Sequence, residues 1–429
     1  MIKASIVTIG NEILSGQTVD TNAAHLSTEL LSIGIPVVSS YTVRDEIGAI
    51  VRGLELASAD ADVIIATGGL GPTDDDLTRQ AFAKFLGVEL ELRNELLEKI
   101  EKFFTGLGRQ MSEKNKIQAY IPAGAKALAN IGTAPGIMAF LDSRSSILDS
   151  RPASSNQYQT SRLLFALPGV PIEMKRMFKE SVLPELERLA GEQAVVVKKL
   201  KCFGAGESTI AEMLGTMMKR GRNPLINCTA SSGIITLHII AMAENKEKAE
   251  QMVEKDEKLL RSTLGELIYG VSDQTLAEVV GEELARQGKT IAVAESCTGG
   301  LLTKLLTDVS GSSKYFTYGW ITYSNEAKSS ELGVPAETIQ QHGAVSEQVA
   351  REMAIGARKK AGTDYAISIT GIAGPTGGTE QKPVGLVYIS VDSENGCETE
   401  RCFFHHGRQF IRLRAAQTVL NILRLKLNI

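Results

Sequence analysis

Twice in the first 70 residues, and again beyond residue 289, a short apolar run rich in β-branched side chains ends in a glycine-bearing turn. Ala4-Ser5-Ile6-Val7-Thr8-Ile9 leads into Gly10-Asn11-Glu12-Ile13-Leu14-Ser15-Gly16, and Val63-Ile64-Ile65-Ala66-Thr67 leads into Gly68-Gly69-Leu70-Gly71. Thr290-Ile291-Ala292-Val293 leads into Ala294-Glu295-Ser296-Cys297-Thr298-Gly299-Gly300. Continuous apolar runs of this length read as strands covered on both faces, the habit of parallel sheets. Helical spacing follows: Leu301, Leu302, Leu305 and Leu306 behind the third turn, and Ile47, Ile50, Val51 and Leu54 between the first two strands, with Asp45 placed to cap that helix. The chain is thereby held to an α/β architecture, with ligands expected at the carboxyl ends of its strands.

A length of 429 residues predicts about three domains. Residues 1–190 alternate strand and helix around a largely parallel sheet. Within them, the polar stretch 142–161 separates two apolar runs and reads as a long, mobile hairpin loop. Residues 191–270 form a small α+β module: strand-like Val195-Val196-Val197 and Thr236-Leu237-His238-Ile239-Ile240, with an amphipathic helix from Asn245 to Leu260. Its Gly204-Ala205-Gly206-Glu207-Ser208 loop lacks the aromatic and basic residues of a nucleic-acid site, which leaves a spacer role. Residues 271–429 return to alternating helix and strand and end in a helix bearing Ala416, Val419, Leu420, Leu423 and Leu427 on one face.

Composition removes several function classes. A net charge of -4 gives no support for nucleic-acid binding driven by overall charge. No apolar run approaches the ~20 residues of a membrane span. The amino terminus passes straight into a strand pattern without a signal-peptide layout, so the cytoplasm is the expected compartment. Five cysteines with no C-x-x-C pair suggest neither a disulfide framework nor a zinc site.

The third glycine turn carries the chemistry. Ser296 and Cys297 stand where a strand gives way to a helix, and helix N-termini offer unpaired N–H groups to a developing oxyanion. A capped helix start is the plainer reading of the same residues. Tyr323-Ser324-Asn325-Glu326-Ala327-Lys328 and the glycine-rich Thr370-Gly371-Ile372-Ala373-Gly374 each follow another strand-like run. Arg408 and Arg412, one helical turn apart, could present guanidinium groups to a phosphate, although each alone also reads as a solvated helix residue.

Residues 271–429 resemble the nicotinamide-nucleotide amidase family, the C-terminal domain of CinA proteins, through AESCTGG at 294–300, GSS at 311–313, ITYSNEAK at 321–328, GAVSE at 343–347, TGIAGPTGGT at 370–379 and KPVG at 382–385. The resemblance implies hydrolysis of the carboxamide of nicotinamide mononucleotide to nicotinate mononucleotide and ammonia, with no cofactor. It also implies Ser296 as nucleophile, Lys328 and Tyr323 as its activating partners, and substrate contacts from Glu295, Thr298, Gly299, Thr370, Gly371, Gly374, Arg408 and Arg412. A Ser–Lys pair is chemically sound where the lysine is neutral. Cys297 remains the rival nucleophile, intrinsically stronger as a thiolate.

In the first region, Thr67-Gly68-Gly69-Leu70-Gly71-Pro72-Thr73-Asp74-Asp75-Asp76 sets glycines able to admit phosphate oxygens beside three consecutive carboxylates, a combination that calls for a hard divalent cation. Acidic residues stabilising a helix N-terminus would explain one or two of them. This region resembles the three-layer molybdopterin-binding fold of the MoaB/MogA type, in its CinA branch, through TIGNEILSG at 8–16, DTNAAHL at 20–26, TGGLGPTDDDLT at 67–78, NIGTAPG at 130–136 and LPGVPIEM at 167–174. Leu70 after the glycines and Asp75 in place of arginine depart from the molybdopterin enzymes. The CinA branch implies instead hydrolysis of ADP-ribose to AMP and ribose 5-phosphate with magnesium, manganese or cobalt. Asp75 and Asp76 would be metal ligands, with Asn11, Glu12, Asp45, Gly68, Gly69, Gly71, Thr73, Lys114 and Lys116 around the substrate. The resemblance further suggests a homodimer acting on small nucleotides, with neither nucleic acid nor membrane as partner. The competing expectations are a competence or DNA-damage accessory protein without turnover, and a molybdopterin-binding module.

Overall fold

The strand Ala4–Ile9 explains the amino-terminal domain. All six of its residues are buried, and its side chains alternate between two apolar layers. Val7 and Ile9 face a core with Ile50, Leu54 and Phe82, whereas Ala4 and Ile6 face one with Leu26, Leu30, Met174 and Phe178. Both faces of the sheet must therefore be covered by helices. Thr21–Ser32 and Pro171–Met177 cover one face, and Ile47–Asp60 and Thr78–Leu86 cover the other. The computed structural model describes residues 2–129, 132–141, 162–190 and 194–429. The expected 142–161 loop lies outside the described residues, as do the first two residues of the 130–136 segment and residues 191–193 of the middle module.

The six strands of this domain run in the order Val37–Val43, Ala4–Ile9, Val63–Thr67, Arg162–Leu167, Ile137–Leu141, Lys126–Ala127. The first four are parallel and the last two antiparallel. The parallel strands point their carboxyl ends at one edge, and there Gly10, Asp45, Gly68 and Gly169 gather. Gly68 has a φ of +109°, and a Cβ on it would lie 2.2 Å from the Ile9 carbonyl oxygen, so no other residue fits that turn. Asp45 does not cap the following helix, contrary to the sequence pattern. Glu46 holds the N-cap position without a side-chain bond, and the Asp45 carboxylate accepts the Asn11 amide at 2.8 Å.

The chain divides into two units, one formed by Met1–Val196 with Met242–Glu250, the other by Val197–Ala241 with Gln251–Ile429. The middle module is a four-stranded sheet of Leu225–Ser231, Ile234–Ala243, Ala194–Cys202 and Ile268–Val271, with helices Glu207–Leu214 and Lys246–Leu264. The longer helix buries Ala249, Val253, Leu260 and Leu264 at helical spacing.

The carboxyl-terminal domain repeats the covered-sheet logic with five strands, ordered Phe316–Ile321, Ile291–Glu295, Tyr365–Gly371, Leu386–Ser393, Gly396–Phe403. The first three are parallel, and the last two form antiparallel pairs. Ile291 and Val293 pack against helices Leu276–Gln287, Leu301–Thr307 and Arg408–Lys426, while Ala292 and Ala294 pack against Glu347–Ala361. Among the described residues no helix is long and apolar enough to cross a membrane.

Helix Glu347–Ala361 meets helix Asn325–Leu332 at Gly356, where a Cβ would stand 1.8 Å from the Leu332 carbonyl oxygen. Gly356→Ala must push the two helices apart, and overpacking of this kind costs about 1–3 kcal/mol. Thermal denaturation should show a midpoint several degrees below that of the unaltered protein; an unchanged midpoint would mean the helices do not meet there.

Candidate active sites

In the carboxyl-terminal domain, strand Ile291–Glu295 ends and the chain turns through Ser296 to Gly300 before helix Leu301–Thr307. Gly299 and Gly300 take positive φ of 58° and 90°, which brings the helix back beneath the strand end. Ser296 is held by its own amide, which donates to the Ile369 carbonyl at 2.9 Å on the neighbouring strand. Lys328 approaches from helix Asn325–Leu332, whose start is set by the Ser324 hydroxyl accepting the Ala327 amide at 3.1 Å. The Lys328 Nζ donates to Ser296 Oγ at 3.1 Å and to the Thr322 carbonyl at 2.8 Å, with the Tyr323 and Ser324 carbonyls at 3.5 Å.

Lys328 is only 1% exposed, and among the described residues no carboxylate hydrogen-bonds its ammonium. Burial holds its pKa below the ordinary lysine value, against the weaker opposing pull of Cys297 and Glu326. Its place in the first turns of a helix acts in the same direction, because that end carries partial positive charge. Cys297 is buried in apolar surroundings that push its thiol up to about 12, so it is a protonated thiol at neutral pH.

Glu295 departs from the expectation of a substrate contact. It is fully buried, and its carboxylate accepts the amides of Gly300 at 3.0 Å, Leu302 at 3.1 Å and Thr303 at 2.7 Å. The helix N-terminus expected to face an oxyanion is therefore already occupied by this internal carboxylate. Within the turn, Gly299 donates to the Ser296 carbonyl and Leu301 to the Thr298 carbonyl, which leaves the adjacent Cys297 and Thr298 amides without a main-chain acceptor among the described residues.

Arg412 also differs from the sequence expectation. Its guanidinium grips the Thr298 carbonyl, through Nε at 3.1 Å and through Nη2, so it braces the turn. Thr298 itself is fully buried. Arg408 donates to the Gly374 carbonyl at 2.8 Å and to the Tyr323 hydroxyl at 3.2 Å. Among the described residues, Tyr323, 61% exposed, hydrogen-bonds the Ser296–Lys328 pair through its main-chain carbonyl and not through its hydroxyl. Thr370 is buried with its hydroxyl on the Ala344 carbonyl at 2.8 Å, and Gly371 closes the strand beneath the glycine loop.

In the amino-terminal domain, a cleft of about 230 Å³ opens at the carboxyl ends of the parallel strands. Glu12, Asn22, Asp45, Gly68, Gly69, Asp75 and Asp76 line it, together with Thr8, Thr67 and Gly169. Asp76 organises the glycine turn from within: one carboxylate oxygen accepts the Gly71 amide at 2.7 Å, the other the Thr73 amide at 2.8 Å and the Thr73 hydroxyl. Arg79, fully buried, donates to the carbonyls of Leu70 and Gly71, and burial lowers its pKa to about 10 against the pull of Asp76. Sequence reasoning did not single out Arg79 or Asn22, although both lie in or beside the quoted motifs.

Burial raises the Asp45 pKa, and the charges of Glu12 and Asp75 add to the shift. Crowded carboxylates of this kind are a donor set that suits a hard divalent cation. Among the described residues no three His, Cys, Asp or Glu side chains converge closely enough to hold a metal by themselves. A cation would thus rest on one or two carboxylates, with water and ligand oxygens completing its shell. Lys114 pairs with Asp74 at 3.3 Å and Lys116 with Glu113 at 3.0 Å; neither lysine lines the cleft, and nor does Asn11 beyond its amide bond to Asp45.

Three family models match along the chain: "Probable molybdopterin binding domain" over 5–188, "Damage-inducible protein CinA KH domain" over 197–270 and "CinA C-terminal domain" over 273–427. A "CinA-like protein" of Kosmotoga olearia is 43% identical over 425 residues, covering 99% of this chain and 98% of its own. Among solved structures, the competence/damage inducible protein CihA of Agrobacterium tumefaciens is 39% identical over 36% of this chain and 98% of its own, with a TM-score of 0.35. The CinA protein of Thermoplasma acidophilum, described as of unknown function, is 32% identical over 43% of this chain and 97% of its own, with a TM-score of 0.36. The KH likeness of the middle module was not found in the sequence, where no short motif marks it.

Glu295→Ala would strip one buried and two part-buried amides of their acceptor, and an unsatisfied buried group costs about 1–3 kcal/mol. Glu295→Gln keeps an acceptor oxygen in place. Denaturant titration should rank the proteins unaltered, Gln, Ala in falling stability; equal midpoints for all three would remove the capping role.

Proposed function

The chain belongs to the CinA family, and we propose that its two end domains are separate hydrolases acting on pyridine-nucleotide breakdown products. The carboxyl-terminal domain hydrolyses the carboxamide of nicotinamide mononucleotide. The observation that carries this reading is the buried Lys328 amine on the Ser296 hydroxyl at 3.1 Å with no carboxylate bonded to it. Neutral Lys328 takes the serine proton as Oγ attacks the amide carbon. The Cys297 and Thr298 amides, engaged by no main-chain acceptor among the described residues, are the donors this reading assigns to the resulting oxyanion. The proton passes to the departing nitrogen, ammonia leaves, and water then cleaves the acyl-serine to release the carboxylate. Arg408, exposed and bonded to the Gly374 carbonyl, is a cation that could meet the substrate phosphate.

The amino-terminal domain hydrolyses the pyrophosphate of ADP-ribose, yielding AMP and ribose 5-phosphate. The glycine turn supports it as a phosphate cradle, and the carboxylates that line the cleft, Asp45 and Asp75 among them, could supply the one or two ligands a cation would take from the chain. A bound magnesium, manganese or cobalt ion would supply charge neutralisation at the pyrophosphate oxygens. The chain's own contribution is to orient the phosphates at the turn and to keep carboxylates beside them.

With the full-length protein and nicotinamide mononucleotide, Ser296→Ala and Lys328→Ala should each lower ammonia release by about 10³-fold or more. Because only the neutral amine accepts a proton, the rate should climb with pH and level off below 10.5, the ordinary value from which Lys328 is depressed. Near-normal turnover in Ser296→Ala, with loss in Cys297→Ala, would transfer the role to the thiol.

ADP-ribose cleavage should vanish with a chelator and return with a divalent metal, and should persist in Ser296→Ala. Asp45→Asn should lower it by about 10²-fold. No cleavage with any of the three metals would end the amino-terminal half of the reading.

A further inference from the structure

Lys328 is the fourth residue of helix Asn325–Leu332, and side chains on a helix lean toward its amino terminus. Its stem therefore folds back over the Ser324 cap and carries Nζ to the segment just ahead of the helix. That segment is fixed at two points. The Thr322 amide donates to the Glu295 carbonyl at 2.8 Å, one residue beyond strand Phe316–Ile321, and the Ser324 carbonyl accepts the Lys328 amide at 3.3 Å. Three consecutive carbonyls, of Thr322, Tyr323 and Ser324, consequently meet one nitrogen, at 2.8, 3.5 and 3.5 Å. Thr322 and Lys328 are each 1% exposed, so bulk water does not compete for these positions.

The fourth neighbour of the nitrogen is Ser296 Oγ at 3.1 Å. Carbonyl oxygens only accept, so the serine hydroxyl is the one proton carrier among the four. A neutral amine has two N–H bonds and one lone pair. Both N–H bonds turn to the carbonyls, and the lone pair is left to the serine, whose hydroxyl has no other hydrogen-bond partner among the described residues. Once the proton has moved, the nitrogen has three N–H bonds and a positive charge. The carbonyl dipoles already aim their negative ends at it, so charge develops where the chain is arranged to receive it. Burial keeps the amine neutral at rest, and the carbonyls offset part of the cost of charging it during the step.

We infer that the Thr322, Tyr323 and Ser324 carbonyls form a cation niche that aims the Lys328 lone pair at Ser296 and stabilises the ammonium formed when the serine proton is taken. This rests on the reading of Ser296 and Lys328 as nucleophile and base. The carbonyls act through the lysine, so they are positioning groups.

A niche of this kind recognises the N–H bonds of an amine, with or without the lysine stem. Lys328→Ala removes three carbons and the nitrogen, and n-propylamine replaces that fragment atom for atom. Trimethylamine is its isomer, equally a base, with no N–H bond for the carbonyls when neutral. In full-length Lys328→Ala supplied with nicotinamide mononucleotide, n-propylamine should raise nicotinate mononucleotide formation by about 10-fold or more, the worth of one hydrogen bond, and trimethylamine should leave it unchanged. Equal rescue by the two isomers overturns the niche, because any base would then serve.

Thermal midpoints read binding apart from turnover. The n-propyl isomer should raise the midpoint of Lys328→Ala above that in trimethylamine at the same concentration and pH, and should not do so for the unaltered protein. That rise, with no product from any form of the protein, upholds the niche and ends the amidase reading. Turnover by the unaltered protein, with neither isomer restoring it in Lys328→Ala, upholds the amidase reading and overturns the niche. Should Lys328→Ala not fold, the unaltered protein labelled with ζ-15N lysine decides. One lysine nitrogen should keep slowly exchanging N–H protons, and its signal should be missing from Lys328→Met, which retains the length of the stem. Lys328 protons that exchange as fast as those of exposed lysines overturn the niche.

Discussion

An amine buried among main-chain carbonyls, with no carboxylate hydrogen-bonded to it among the described residues, is costly to hold, and the surrounding elements are arranged around it. The Thr322 carbonyl fixes Lys328 from the end of strand Phe316–Ile321, and Ser324 sets the start of the helix that carries it. Gly356 lets helix Glu347–Ala361 close over the last turn of that helix. Each contact holds the amine near Ser296, and none supplies the negative charge that would keep it protonated. A buried ion pair at this point would be more comfortable and would leave an ammonium unable to accept a proton.

Both end domains manage their glycine turns in the same way. A parallel strand delivers a turn rich in amides, and an acidic side chain next to it claims several of them. Glu295 takes Gly300, Leu302 and Thr303; Asp76 takes Gly71 and Thr73. Among the described residues, the amides left without an acceptor include Cys297 and Thr298 in one domain and Gly69 and Leu70 in the other. An unclaimed helix start would attract any anion. A partly claimed one restricts where an oxyanion or a phosphate can sit.

The buried strands, the glycine turns after them and the order of the domains were legible because each is a local pattern. Long-range pairings were not. Ser296 and Lys328 lie 32 residues apart, and the sequence joined them only through resemblance. Glu295 reads the same whether its carboxylate faces a ligand or a helix start, and burial decides between them. Asp45 sits where a helix cap would sit, yet a loop from another strand end offers its amide first. Asn22 is more remote still, because its orientation depends on Thr67 and on Gly169, 147 residues away.

The last helix shows why arginines were the hardest residues to read. Arg408–Lys426 carries four whose guanidinium groups all meet main-chain carbonyls. Arg408 and Arg412 reach the glycine loop and the nucleophile turn, at Gly374 and Thr298. Arg414 donates to the Gly233 carbonyl at 2.9 Å and lies 4.5 Å over the Phe203 ring, and Arg424 donates to the Glu266 carbonyl. Gly233, Phe203 and Glu266 belong to the middle module. One helix thus grips that module at one set of residues and the Ser296 turn at another. A guanidinium with five fixed donors suits carbonyl clusters as well as phosphates. Burial and partner therefore separate its roles: Arg424, 1% exposed, has no route to a ligand, whereas Arg408 is exposed.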